Sequence, residues 1–138
     1  LGVFTGSRVA EYAQSKLKRN QRYQVIPKTK DAGTWAGQPL AFIRADFQFF
    51  DHLNCCVIHT NVFKMYRAGQ LASVHIRFRF DKSKQNHTIR KFHISRDPIL
   101  NPVGAAVSII RRADMLRVPI LEPVGVYSPP NSTSYAFL

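Results

Sequence analysis

From Val74 to Phe80 apolar and polar side chains alternate without a break, with Val74, Ile76, Phe78 and Phe80 in one set and His75, Arg77 and Arg79 in the other. A period of two is that of a strand with one buried and one open face. Thr88 to Ile94 supplies a partner run, and the intervening Asp81-Lys-Ser-Lys-Gln-Asn-His87 is polar and basic. Ser73 to Ser95 therefore predicts an antiparallel hairpin with a charged tip. Leu40 to Val57, rich in β-branched and aromatic residues, predicts one or two further strands. The period changes after Asn101-Pro102, a capping residue followed by proline at the first helical position. Val103, Ala106, Val107, Ile110 and Ala113 then fall on one helical face, Arg111, Arg112 and Arg117 lie largely away from it, and Pro119 is expected to end the helix. Nearer the N-terminus, Gly6 permits a sharp turn, Ser7 can cap a helix, and Val9, Ala10, Ala13 and Leu17 repeat with helical spacing.

Between these elements the pattern weakens. Residues 16–37 are polar and basic, with Pro27 and Gly33, and read as a loop or insertion. Asn61 to Leu71 is ambiguous in period, with a turn signal at Arg67-Ala-Gly-Gln70. Glu122 to Pro130 is proline-rich and extended, and Asn131-Ser-Thr-Ser134 could cap another helix. Trp35, Phe47, Phe49 and Phe50 are expected in the core, since a base-stacking platform needs an exposed ring. There is no internal repeat.

Composition narrows the function classes. With 138 residues the chain is one domain or part of one, and 45% hydrophobic content argues against disorder. No apolar run approaches the roughly 20 residues that span a bilayer. Twenty Lys and Arg against 8 Asp and Glu give a net charge of +12, which points to a polyanionic partner. The cations are interleaved with apolar and aromatic residues, the pattern of a folded basic surface rather than a detached tail. Cys55 and Cys56 are adjacent, are the only cysteines, and can form neither a second pair nor a four-ligand zinc site. They are expected as small buried residues in a reducing, intracellular compartment. His52, His59 and His75 are scattered and lack ligand spacing. The first residue is Leu rather than Met, and the chain is expected to be a fragment.

Arg8 follows the Gly6 turn at the start of a predicted helix, where backbone N–H groups and the helix dipole already favour an anion. A planar guanidinium there suits bidentate contact with a phosphate. Thr5-Gly-x-Arg8-x-x-Glu11 resembles the first catalytic motif of the tyrosine recombinases, the phage-integrase-like superfamily. Leu40 to Phe50, with Arg44-Ala-Asp46-Phe47, resembles the strand that follows in that family, and Ser73 to Ser95 resembles its hairpin. Asp97-Pro-Ile-Leu-Asn-Pro-Val103 resembles the version in eukaryotic mobile elements. The likeness runs in order from about Leu1 to Tyr127.

The resemblance implies an α+β fold: a mainly helical catalytic core with a small antiparallel sheet or hairpin. Residues 1–138 would be its truncated N-terminal part, with 16–37 and 52–71 as insertions and 122–138 leading toward the remainder. It also implies double-stranded DNA as partner, oligomeric assembly on that DNA, a nuclear location in a eukaryote, and no metal or cofactor. The implied chemistry is breaking and rejoining through a 3′-phosphotyrosine, for site-specific recombination or integration. Arg8 would hold the non-bridging oxygens of the transition state, supported by Glu11 one turn on. Lys82 would protonate the leaving 5′-oxygen, with Lys84 as the alternative if the register shifts by two.

The family's His-x-x-Arg belongs beyond the helix that starts at Pro102, with the tyrosine further on. His87-Thr-Ile-Arg90 and His93-Ile-Ser-Arg96 match the string but precede that helix. Tyr135, with no such motif ahead of it in the expected place, is not assigned as a nucleophile. These residues alone are therefore expected not to cleave DNA. The alternative reading is a non-catalytic basic nucleic-acid-binding module, either a decayed recombinase or an unrelated α+β domain.

Overall fold

A computed structural model describes residues 24–79 and 86–137. The predicted hairpin is present: strand β3 (Leu71–Phe78) pairs antiparallel with β4 (Thr88–His93), Ser73 opposite His93 and Phe78 opposite Thr88. On its other edge β3 pairs antiparallel with β1 (Phe47–Asp51), which in turn pairs with the short β2 (Cys56–Val57). The four-stranded sheet has the order β2-β1-β3-β4. A second antiparallel pair joins β5 (Val126–Tyr127) to β6 (Ala136–Phe137).

Helices α1 (His59–Arg67) and α2 (Pro102–Met115) complete the regular structure described, apart from two single 3₁₀ turns, Gly33–Trp35 and Arg44–Asp46. The fold is α+β. Among the described residues it is a sheet with helices on one side, not a mainly helical core. The alternating runs supply the strands, and the helix expected between Val9 and Leu17 lies outside the described residues.

The core lies between sheet and helices. Phe47 and Phe49 of β1 and Val74, Ile76 and Phe78 of β3 are buried against Val103, Ala106, Val107, Ile110 and Ala113 of α2, the same stripe that the 3.6-residue period marks out. Phe42 meets Phe47 and Phe78 edge-on, with ring centroids 5.7 and 5.2 Å away. Asn101 caps α2 as expected, its side chain accepting from Gly104 N at 3.1 Å. Asp97 prepares that start: its Oδ1 accepts from the amides of Ile99 and Leu100, both 2.8 Å away, and these bonds lower its pKa. Where α1 meets α2, a Cβ at Gly104 would stand only 2.5 Å from the Tyr66 hydroxyl, so glycine leaves room for that hydroxyl against α2.

Several expectations change. Asn61 to Leu71 resolves into α1 and its turn, where Gly69 takes φ +68°. Helix α2 stops before Pro119: Arg117 takes φ +52°, and the amides of Arg117 and Val118 bond back to Asp114 and Ala113. That is a Schellman ending, reached two residues before the proline. Asn131 to Ser134 caps no helix and leads into β6 instead. Leu40 to Phe50 is a strand only from Phe47; Arg44–Asp46 forms the preceding 3₁₀ turn. Cys55 and Cys56 are exposed, not buried, because the short β2 lies at the open edge of the sheet.

Candidate nucleic-acid interface

Because residues of a strand alternate between faces, burying Phe47, Phe49, Val74, Ile76 and Phe78 turns their neighbours outward. In β1 these are Gln48 and Phe50; in β3, His75 and Arg77, with Ser73 on the same side but buried; in β4, Ile89, Lys91 and His93. The register sets them in rows across the sheet, with Gln48, His75 and Lys91 in one and Phe50, Ser73 and His93 in the next. Among the described residues both helices pack on the opposite face. No side chain in these rows is acidic.

The open face is also aromatic. Phe50 and His75 lie nearly parallel, centroids 4.2 Å apart and planes 33° apart. Trp35, brought in by the segment ahead of β1, sits 5.7 Å from the Arg77 guanidinium, 5.8 Å from that of the buried Arg79 and 5.9 Å from the His87 ring. Trp35 and Phe50 are both half-buried and lie outside the hydrophobic core, against expectation, whereas Phe47 and Phe49 are core residues. The missed signal is the alternation itself: if Phe47 and Phe49 face inward, Phe50 cannot. The pKa of His75 is lowered by partial burial and by the nearby Lys91 and His93 charges.

Arg79 is not on this face. Strand β3 ends at Phe78, and the Arg79 side chain turns inward to a buried site. There Nε donates to Asp46 Oδ2 at 3.0 Å, and the remaining nitrogens reach Gln38 Oε1, Pro39 O and Ala41 O. Asp46 also accepts from Ile43 N at 2.8 Å. Its carboxyl is pushed up to about 6, burial outweighing the pull of Arg79. Desolvation likewise lowers Arg79. Arg44, in the same 3₁₀ turn, pairs with Asp114 and donates to Val118 O at 2.9 Å, tying the turn to the end of α2. These arginines hold the fold together and leave the open face to Arg77 and Lys91.

The residues proposed for catalysis by resemblance, Arg8, Glu11, Lys82 and Lys84, lie outside the described residues. In sequence, Lys82 and Lys84 belong to the connection between β3 and β4, the strands that carry Arg77 and Lys91. The two literal His-x-x-Arg strings do not form one site: Arg90 covers the core ring Phe78 at 4.6 Å, while His87 and His93 are exposed. The Tyr135 hydroxyl donates to Glu122 Oε2 at 2.7 Å, bracing the segment that precedes β5. Among the described residues no three His, Cys, Asp or Glu side chains gather where a metal could sit, and no helix is long and apolar enough to cross a membrane. A groove of about 520 Å³ on the helical side is lined by Phe63, Tyr66, Val107, Met115 and Leu116, with Arg111 stacked on Phe63 at 3.7 Å. It holds no acid–base or nucleophilic constellation. Comparison with family models, curated proteins and solved structures finds no match to this chain.

Proposed function

We propose that this chain binds DNA, as part of a strand-transfer domain of the tyrosine-recombinase kind. The observation that carries the DNA-binding reading is the open sheet face: four basic or titratable side chains, Arg77, Lys91, His75 and His93, and no carboxylate among them. Such a surface neutralises phosphates and releases their counterions. The strand-transfer reading rests on the order of the sequence motifs. In it, Arg8 grips the scissile phosphate and Lys82 delivers a proton to the leaving oxygen. A second arginine and a tyrosine nucleophile are then required, which the family pattern sets downstream of α2.

A gel shift with a short duplex at low salt tests the binding. Arg77→Glu with Lys91→Glu should abolish the shifted band. Arg111→Glu with Arg112→Glu, the same charge change on the helical side, should leave most of it. Equal loss in both double variants would mean that only net charge matters and that the sheet face has no special part.

A further inference from the structure

The open face carries more than charge. Its ring pair and the nearby Trp35 are placed where a double helix cannot use them, because paired bases keep their π-faces inside the stack. An unpaired strand presents what these residues can take: a free base face for each ring and a phosphate between.

We propose that the open face is a binding site for single-stranded DNA, with one base stacked on the Phe50–His75 pair, a neighbouring base at Trp35, and the phosphates between and beside them held by Arg77 and Lys91. The spacing suits this arrangement. Successive outward positions on a strand lie about 7 Å apart, so His75, Arg77 and the Trp35 ring over Arg77 form a ring–cation–ring series along β3. Lys91 is the cross-strand partner of His75, so its ammonium flanks the base site from β4. Phe50 packs on His75 rather than in the core, which leaves its ring available as a platform wall. The inference rests on the DNA reading above and adds to it a base-stacking site for unpaired strand.

Fluorescence anisotropy of the 138-residue chain with a labelled oligothymidylate, and separately with a duplex of the same length, tests it. Phe50→Ala should weaken oligothymidylate binding by about 5- to 150-fold, the range for one lost base–aromatic stack. Duplex binding, driven by phosphate contacts, should stay within about twofold. Phe50→Tyr should restore the single-strand affinity. If Phe50→Ala fails to fold, as judged by its thermal transition, Phe50→Leu keeps a large apolar side chain without the π-face and carries the same expectation. Duplex binding with no change in oligothymidylate affinity on either substitution would overturn the stacking site and leave the DNA reading standing. Binding to neither DNA at low salt would overturn both. Tighter binding to oligouridylate than to oligothymidylate would overturn DNA as the occupant.

Discussion

Arg79 spends its guanidinium on Asp46, Gln38 and two backbone carbonyls, all within the fold. The alternation from Val74 to Phe80 assigns it to the polar face, beside Arg77. It departs because β3 ends one residue earlier and Asp46, itself buried, needs a counter-charge. The pair has a pH signature. Asp46 titrates near 6 in the folded chain, above its ordinary value, so the folded state holds this proton more tightly than the unfolded chain does. Its contribution is fully present below about pH 4 and is lost as pH rises through 6, roughly 3 kcal/mol at about 1.4 kcal/mol per unit. Chemical denaturation midpoints measured from pH 4 to pH 7 should therefore fall across that window, and Asp46→Asn should flatten the decline. At neutral pH Arg79→Ala should cost about 3–5 kcal/mol, since it strands a buried carboxylate.

The two helices end alike but with different residues. In α1 the left-handed position is Gly69, φ +68°; in α2 it is Arg117, φ +52°. A side chain pays about 1–2 kcal/mol there that glycine does not. Arg117→Gly should thus raise stability by about 1 kcal/mol and Gly69→Ala should lower it by a similar amount, both readable as shifts in thermal midpoint. Most elements were legible from the chain alone: the hairpin from its period of two, the start of α2 from Asn101-Pro102, and its buried face residue by residue. What escaped depended on partners distant in sequence. Helix α1 has a weak pattern and forms because Val62 and Phe63 find the α2 side of the core. β6 exists only because β5 offers it a ladder. The outward turn of Phe50 follows from the alternation that buries Phe47 and Phe49. The exposure of Cys55 and Cys56 follows from an edge position that no local pattern announces. The proposal for Arg8 and Lys82 rests on sequence order alone, and both lie outside the described residues.

At the scale of the molecule, the helices and core lie on one side of the sheet, and Arg77, Lys91 and the Phe50–His75 rings on the other. A strand-transfer role adds a sharp expectation. With a suicide substrate nicked near the scissile phosphate, these 138 residues should trap no covalent adduct, because losing the nucleophile removes the covalent route altogether. In a form extended downstream through a His-x-x-Arg and a tyrosine, an adduct should form, and Arg8→Ala and Lys82→Ala should each suppress it. An adduct from the 138 residues that vanishes in Tyr135→Phe would relocate the active site.

The central claim is that the uncovered sheet face binds DNA through its phosphates, and a salt series tests it most directly. Equilibrium affinity for a short duplex should fall with a log–log slope of about 0.9 per phosphate contact. Arg77→Ala and Lys91→Ala should each reduce that slope by about one, while Arg111→Ala leaves it unchanged. Affinity that does not depend on salt, or no binding at low salt by a folded chain, would contradict the claim.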